Sequence, residues 1–260
     1  MICAGIDAGS RTIKIVLMTA ETQEVIAKGL ADQGVEQDKL TQELFQKLLK
    51  KNDIDRKDVT RIVATGYGRN AVSFADTTIT EITCHAVGVR HLVPDAMTVI
   101  DIGGEDSKLI RLDKSGRVRD FAMNDRCAAG TGRFLEIVAR RLGVDIHLLG
   151  ELSAKSRNPA AISSMCAVFA ETEIIGLLAS GTAREDIIAG VQAAIASRVT
   201  ALAGRNIDLP LVFTGGVAMV SGMETAMESV LGAGVIVSPD PQMTGALGAA
   251  ILAANQIAHY

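Results

Sequence analysis

The sequence predicts an α/β fold made of two related halves, and three observations support that prediction. Apolar, β-branched runs alternate with longer segments of helical period, which is typical of sheets covered by helices. A short motif recurs after an interval of 94 residues, which indicates an internal duplication. No Pro-rich or Ser-rich linker interrupts the alternation, so it extends through the whole chain.

The predicted strands are short β-branched and apolar runs, most of which end at a Gly or Asp turn. In chain order they are Cys3–Ile6, Ile13–Met18, Glu24–Leu30, Arg61–Ala64, Thr98–Ile100, Lys108–Leu112, Leu211–Phe213 and Val235–Val237. The predicted helices have apolar residues at three- and four-residue spacing. They are Leu40–Lys51, Asp76–His91, Thr131–Leu142, Val168–Ala179, Ile187–Leu202 and Gly245–Ile257.

The repeated motif is a strand that ends in Asp, a Gly turn and a second strand that carries Lys, as in a β-hairpin. Its copies are Ile6-Asp7-Ala8-Gly9 with Lys14 and Ile100-Asp101-Ile102-Gly103 with Lys108. A strand followed by Thr-Gly also recurs, at Thr65-Gly66 and Thr214-Gly215, 149 residues apart. We therefore expect duplicated halves over 1–95 and 96–244, the second lengthened by an insertion of 55 residues that contains two cysteines. The final helix, 245–260, is expected to pack back on the first half.

The composition of the 260-residue chain excludes several classes of partner. A net charge of −4 gives no long-range attraction to nucleic acid or to an anionic membrane surface. Only eight aromatic residues, six Phe and two Tyr, are available to stack on bases or sugars. No stretch reaches the roughly 18 uninterrupted apolar residues of a membrane span, and Asp7 stands where a signal peptide needs its apolar core. We expect a cytoplasmic protein.

The Gly-rich hairpin tips can face each other across a cleft between the halves and direct backbone N–H groups at a phosphate chain. Asp7 and Asp101 are candidates to hold a hydrated Mg²⁺, which prefers one or two carboxylates plus water. The turn Thr214-Gly215-Gly216 is suited to a nucleoside. The other predicted nucleotide contacts are Gly9, Ser10, Arg11, Thr12, Lys14, Gly103, Gly104 and Gly245, and Glu105 is a further catalytic candidate.

Other interpretations of these motifs stay open at this point. Asp-x-Gly is a common strand-to-turn sequence, so the repeat can reflect the history of the fold without any ligand. The segment Gly66–Ala71 matches a dinucleotide-binding fingerprint, although the helix predicted after it favours a simple glycine-rich connection. A Walker A loop is excluded, because neither Gly-Lys-Ser nor Gly-Lys-Thr occurs.

Cys127 and Cys166 each precede a predicted helix, whose positive N-terminal end favours the metal-binding thiolate form. A buried apolar cysteine is the alternative. Two thiolates do not complete the four ligands of a zinc site or an iron–sulfur cluster, but a twofold dimer supplies four. Cys3 and Cys84 are expected to be packing residues, since one lies in a strand and the other in a helix. Four scattered cysteines do not indicate a disulfide framework.

Six segments resemble the ATP-dependent activators of 2-hydroxyacyl-CoA dehydratases, which are related to the ATPase subunits of benzoyl-CoA reductase. The resemblance covers nearly the whole chain, and its two cysteine-containing segments are the most specific. The segments begin at Gly5, Ala64, Val99, Met123, Ser163 and Phe213 and include Asn124-Asp125-Arg126-Cys127-Ala128-Ala129-Gly130-Thr131-Gly132 and Ser164-Met165-Cys166-Ala167-Val168-Phe169.

The resemblance implies an actin-like ATPase fold in two ribonuclease-H-like halves that binds ATP or ADP with Mg²⁺. It also implies a homodimer around one [4Fe–4S] cluster, with Cys127 and Cys166 of each chain as ligands. Reduced ferredoxin or flavodoxin is then the electron donor, and an acyl-CoA dehydratase accepts an electron at low potential.

Two residues depart from the family pattern, which commonly has Gln at position 105 and Thr at position 11. A carboxylate at Glu105 is repelled by a γ-phosphate unless Mg²⁺ or a proton compensates. Arg11 partly offsets that added charge.

Three alternatives to the activator function remain. The first is a small-molecule kinase of the same fold, with Asp101 or Glu105 as its base. The second is a nucleotide-gated binding module without redox work. The third keeps the chemistry and changes the acceptor to another iron–sulfur protein, or makes the chain a benzoyl-CoA reductase subunit.

Overall fold

A computed structural model describes residues 1–163, 167–204 and 207–258. The strands are β1 (Ile2–Ala8), β2 (Thr12–Thr19), β3 (Val25–Asp32), β4 (Val59–Thr65), β5 (Thr77–Thr78), β6 (Thr98–Ile102), β7 (Ser107–Leu112), β8 (Val118–Asn124), β9 (Leu211–Thr214) and β10 (Val235–Val237). The helices are α1 (Gln37–Lys51), α2 (Glu81–Leu92), α3 (Gly132–Leu142), α4 (Leu149–Ser153), α5 (Ala167–Ala179), α6 (Arg184–Ala203), α7 (Met223–Leu231) and α8 (Thr244–Ala258).

The chain divides into two compact units. Unit 1 comprises Met1–Ala96, Leu112–Arg119 and Gln242–Tyr260, and unit 2 comprises Met97–Arg111 and Asp120–Pro241. The two five-stranded sheets have the orders β3-β2-β1-β4-β5 and β8-β7-β6-β9-β10. Each order places a hairpin, a parallel strand and an edge strand in corresponding positions, so the sequence duplication is also a duplication of sheet topology.

The strand that ends in Asp is central in each sheet. β1 pairs antiparallel with β2 and parallel with β4, and β6 pairs in the same way with β7 and β9. The predicted hairpins are therefore confirmed. Each Asp lies at the carboxyl end of its strand, next to the Thr that ends the parallel neighbour.

Four observed elements, β5, β8, α4 and α7, are absent from the sequence prediction, and one predicted helix starts at a different residue. The predicted helix Asp76–His91 begins only at Glu81, because Thr77 and Thr78 pair with β4 as a short strand. Thr80 then caps α2 by accepting a hydrogen bond from the amide of Thr83, and a capped start fixes the helix boundary. Strand β8 was not predicted, since its exposed and half-buried residues do not form the clear apolar alternation of the other strands.

Two apolar clusters cover the opposite faces of the first sheet. Alternate β1 residues, including Ile6, pack with α1, and Cys3 packs on the other face with α2 and α8. The crossing of α2 and α8 is close, since a Cβ on Gly248 would lie 1.8 Å from the carbonyl oxygen of Cys84. Backbone contact of this kind requires glycine, and it holds α8 close against α2.

A single apolar cluster fills unit 2 among the described residues, with α3 and α6 among its largest contributors. Helix α6 is long and apolar enough to cross a membrane by length and composition. Half of its apolar stretch is buried within the protein, as in the core helix of a globular domain.

Candidate functional site: two duplicated Asp–Lys–Gly sites

Unit 1 holds an ion pair across its first hairpin. Asp7 and Lys14 are register partners of β1 and β2, and Lys14 Nζ donates to Asp7 Oδ2 at 3.0 Å. Both side chains are largely buried. The pair therefore holds the carboxylate in a fixed orientation in a place where an uncompensated charge is costly.

Unit 2 repeats the ion pair with one addition. Asp101 and Lys108 are register partners of β6 and β7, and Lys108 Nζ lies 3.2 Å from Asp101 Oδ2. The same ammonium lies 2.8 Å from Asp106 Oδ2. One buried cation thus joins two carboxylates, so this group carries a formal charge of −1, which suits an additional cation such as hydrated Mg²⁺.

A glycine with positive φ faces each Asp. Gly66 and Gly215 both have φ of 89°, and both follow a Thr that is the register partner of the Asp. A Cβ on Gly66 would lie 2.4 Å from Asp7 Oδ1, and one on Gly215 would lie 2.8 Å from Asp101 Oδ1. A side chain at either position would collide with the carboxylate, so glycine is required at both.

The two hairpin tips close in the same way. Gly9 N donates to Thr12 O at 3.1 Å, and Gly103 N donates to Asp106 O at 2.9 Å. The predicted residues Ser10, Arg11, Gly104 and Glu105 lie within these tips, and Arg11 and Glu105 are exposed. Short turns with exposed backbone suit an anion such as a phosphate.

Gly245, a predicted nucleotide contact, lies next to Asp7. A Cβ on Gly245 would lie 3.2 Å from Asp7 Oδ2 and 3.3 Å from His85 Nε2. His85 is buried, and its Nδ1 lies 2.9 Å from Thr244 Oγ1. Sequence reasoning missed His85 and Thr244, because a contact across 159 residues leaves no local signal.

Gly216 begins a 3₁₀ helix, Gly216–Met219, directly after Gly215. The backbone N–H of Gly215 donates to Pro241 O at 2.8 Å, and the Thr214 hydroxyl donates to the same oxygen at 2.6 Å. The turn predicted to serve a nucleoside is therefore fixed to the segment after β10.

The segment Gly66–Ala71 is a connection and not a dinucleotide-binding turn. It continues into a three-residue 3₁₀ helix, Arg69–Ala71, and then into β5. The Gln37 side chain lies over Gly68, where a Cβ would be 1.8 Å from its amide nitrogen. No α-helix starts at this turn to receive a pyrophosphate, which confirms the simpler interpretation.

Cys127 lies in a half-buried loop that leads into α3. The Asn124 side chain binds its backbone on both sides: Asn124 Oδ1 accepts from Cys127 N at 3.1 Å, and Asn124 Nδ2 donates to Cys127 O at 2.9 Å. The helix begins only at Gly132, since the 3₁₀ helix Ala128–Gly130 intervenes. The predicted helix Thr131–Leu142 is therefore confirmed to within one residue, and Cys127 lies in the loop before it, as the sequence predicts.

Two of the other three cysteines lie within the described residues. Cys3 and Cys84 are fully buried in the apolar cluster below α2 and α8, as predicted for packing residues. Burial raises the pKa of Cys3 to about 11 and that of Cys84 to about 12. Cys166 lies outside the described residues.

A complete metal centre within one chain is not formed by the described residues, where no three His, Cys, Asp or Glu side chains come together as ligands. The described part of the chain offers a single half-buried thiol, Cys127, on a braced loop. One such thiol fits a site that takes its remaining ligands from elsewhere and does not suffice alone.

The chain is similar in sequence to a family of ATPases. A sequence profile of the BadF/BadG/BcrA/BcrD ATPase family matches residues 4–253. The activator of lactoyl-CoA dehydratase from Anaerotignum propionicum is 45% identical over 258 residues, which cover 97% of each chain.

Solved structures agree with the sequence comparison. The activator of the 2-hydroxyisocaproyl-CoA dehydratase from Clostridium difficile, with bound ADPNP, has a TM-score of 0.93 at 40% identity and covers 100% of this chain and 96% of that one. Component A of the (R)-2-hydroxyglutaryl-CoA dehydratase from Acidaminococcus fermentans has the same TM-score at 42% identity, with 99% of both chains covered.

A more distant likeness concerns the fold alone. A glucokinase of the ROK family from Streptomyces griseus has a TM-score of 0.61 at 12% identity, over 98% of this chain and 100% of that chain. The predicted actin-like ATPase fold, an α/β fold with two mixed sheets, is thereby confirmed.

Proposed function

Since the chain belongs to the BadF/BadG/BcrA/BcrD ATPase family, we propose that it is an ATP-dependent activator that donates a low-potential electron to a 2-hydroxyacyl-CoA dehydratase. The observation that carries the proposal is its 45% identity, over 97% of both chains, to an activator of lactoyl-CoA dehydratase. The duplicated Asp–Lys–Gly sites support the ATPase part. The loop of Cys127 supports the redox part.

ATP or ADP binds with Mg²⁺ at the duplicated sites. The carboxylates of Asp7 and Asp101 orient the hydrated ion, and Lys14 and Lys108 hold those carboxylates in place. The glycine turns give their backbone N–H groups to phosphate oxygens. The proposed phosphate and nucleoside contacts are Gly9, Ser10, Arg11, Thr12, Lys14, Gly103, Gly104, Gly215, Gly216 and Gly245, with Glu105 beside the terminal phosphate.

Iron–sulfur chemistry requires a second copy of the chain. Cys127 and Cys166 provide two thiolates per chain, and a twofold homodimer provides the four that one [4Fe–4S] cluster takes. When bound, the cluster supplies a one-electron carrier. The chain's own contribution is to hold Cys127 at a fixed place through Asn124.

Helix α5 offers a surface for that homodimer. Its exposed face carries Phe169, Thr172, Ile175, Gly176 and Ala179, at helical spacing. Phe169 is 69% exposed and Ile175 is 48% exposed. Large apolar side chains on one exposed helical face favour burial against a partner, and this helix follows Cys166 directly.

The remaining parts of the proposal concern the other components. Reduced ferredoxin or flavodoxin supplies the electron, and the dehydratase carries out the dehydration. Another iron–sulfur protein is the alternative acceptor. The protein works in the cytoplasm.

The experiment combines the anaerobically purified protein with reduced ferredoxin, ATP·Mg²⁺ and a purified 2-hydroxyacyl-CoA dehydratase. Dehydration is expected only when the chain, electrons and ATP are all present. Cys127→Ser is expected to abolish it and to leave ATP binding intact. Cys3→Ser is the matched control, since Cys3 lies in the apolar core.

Two results contradict the proposal. Activation that survives Cys127→Ser removes the cysteine from electron transfer. ATP-dependent phosphorylation of an alcohol or acid by the Cys127→Ser variant favours the kinase alternative, which needs no cysteine.

A further inference from the structure

The glycine turn of unit 2 is hydrogen-bonded to the helix that follows the Cys127 loop. Gly132 N donates to Gly103 O at 2.9 Å, and Arg133 N donates to Gly104 O at 2.8 Å. These are the first two residues of α3, whose amides have no partner inside the helix. The turn predicted to contact phosphate therefore supplies the acceptors for the start of α3.

The contact leaves little room for a side chain. A Cβ on Gly132 would lie 3.2 Å from Gly103 O, 3.3 Å from Val217 Cγ2 and 3.5 Å from Gly104 Cα. Backbone lies on one side and the packed Val217 on the other. In a close-packed interior, a Cβ at position 132 therefore forces one of these neighbours to shift by a few tenths of an ångström.

Hydrogen bonds restrain the backbone of the loop between Cys127 and Gly132. Asn124 holds the backbone of Cys127 through both its N–H and its carbonyl oxygen. At the other end, the hydroxyl of Thr131 donates to Ala128 O at 2.7 Å, and the amide of Thr131 donates to the same oxygen at 3.1 Å. The loop is therefore hydrogen-bonded at both of its ends.

A buried hydroxyl lies against the same loop. Ser107 Oγ is fully buried without a hydrogen-bond partner among the described atoms, and it lies 3.8 Å from the Cβ position of Gly130. Asn124 Nδ2 is 3.6 Å from that position. Ser107 follows Asp106 of the ion-pair group directly, so β7 also begins at the interface between the turn and the loop.

We infer that Gly132 and Asn124 are positioning residues that couple the Gly103–Gly104 turn to the Cys127 loop. A ligand at the turn changes the order of the loop through the two backbone hydrogen bonds of α3. The inference rests on the proposed function, because it takes ATP as the ligand of the turn. It adds the physical route by which nucleotide state reaches the cysteine.

The test is hydrogen–deuterium exchange of the full-length protein, purified without oxygen, with and without ADPNP. Isothermal titration of ADPNP into the same samples reports nucleotide binding. In the unmodified protein, ADPNP is expected to slow exchange at both 103–106 and 125–133. We expect about fivefold or more, the lower end of usual couplings between two sites.

Gly132→Ala is expected to keep ADPNP binding and protection at 103–106 and to lose the response at 125–133. The matched control is Gly234→Ala, since Gly234 has nothing within 4 Å of its Cβ position, and it is expected to respond like the unmodified protein. Asn124→Asp keeps the acceptor for Cys127 N and loses the donor to Cys127 O. It is expected to weaken the response, and it decides the matter if Gly132→Ala does not fold.

The outcomes separate two failures. Nucleotide binding with protection at 103–106 and no response at 125–133 in the unmodified protein overturns the coupling and leaves the ATPase function standing. A full response in both variants also overturns it. Absence of binding heat and of any protection contradicts the proposed nucleotide function itself.

Discussion

Lys108 Nζ lies between two carboxylates, 3.2 Å from Asp101 Oδ2 and 2.8 Å from Asp106 Oδ2, and its side chain is 3% exposed. Among the described residues, the corresponding Lys14 forms an ion pair with Asp7 only. The duplicated sites therefore share one backbone arrangement and differ in formal charge. The second site carries the additional carboxylate, so its formal charge of −1 makes it the more favourable of the two sites for a bound cation.

Removal of the Lys108 ammonium is predicted to destabilise the protein strongly. Lys108→Met leaves the buried carboxylate of Asp101 and the half-buried carboxylate of Asp106 without their cation, and breaking a buried pair in this way costs about 3–5 kcal/mol of unfolding free energy. Urea unfolding measures it. Lys155→Met, in an exposed pair with Glu151, is the control and is expected to leave the midpoint unchanged. Equal midpoints for the two variants contradict the buried ion-pair account.

Gly66→Ala and Gly215→Ala are predicted to weaken nucleotide binding by about tenfold or more, which corresponds to about 1.4 kcal/mol. An added Cβ collides with the carboxylate of Asp7 or Asp101. Gly181→Ala has a matching backbone, with φ of 83° and nothing within 4 Å of the Cβ position. It therefore reports the conformational cost alone.

Titration of ADPNP into the three variants, together with their urea unfolding, separates the effect of backbone strain from the effect of the collision with the carboxylate. Gly181→Ala is expected to bind nucleotide normally. If all three variants bind alike, the glycines do not shape the carboxylate sites.

Cys3 and Cys84 are predicted to resist alkylation in the folded protein. Burial raises the pKa of Cys3 to about 11 and that of Cys84 to about 12, so at pH 8 both thiols stay protonated and covered. Cys127 is half-buried and is expected to react once a chelator has removed any metal. The folded protein is treated with iodoacetamide and then digested, and mass spectrometry of the peptides measures the modification at each cysteine. Modification of Cys84 at the rate of Cys127 contradicts the described packing.

Glu105→Gln is predicted to keep ATP binding and to change the hydrolysis rate. The exposed carboxylate lies in the glycine turn, where it repels a terminal phosphate unless Mg²⁺ compensates. Steady-state release of phosphate and titration of ADPNP measure the two quantities. Glu151→Gln, on the surface of α4, is the control. An unchanged hydrolysis rate removes Glu105 from the reaction.

The repeated motif predicted the central hairpin of each sheet, because it marks the first strand, the turn and the second strand of both hairpins. Short signals at Asp7, Gly9, Asp101 and Gly103 repeat at one interval, and the structure gives both copies the same register. The strand β8 was missed because its residues are mostly exposed or half-buried. The start of α2 was misplaced because β-branched threonines and a capping hydroxyl compete with helical spacing.

The site was predictable only where its residues are neighbours in sequence. Gly132 carries no sign that it meets Gly103, because that contact arises from how the chain turns back at the start of α3. The pairing of His85 with Thr244 depends on the crossing of α2 and α8. Such contacts are set by tertiary packing, which local patterns do not record.

The most direct test of the account is the content of iron and acid-labile sulfide in protein purified without oxygen. One four-iron cluster shared by two chains predicts about two irons and about two sulfides per chain, because the cluster takes four cysteines. Values near zero that persist after an attempt to rebuild the cluster contradict the electron-transfer function. They leave an ATPase of another purpose, either a kinase or a nucleotide-gated module.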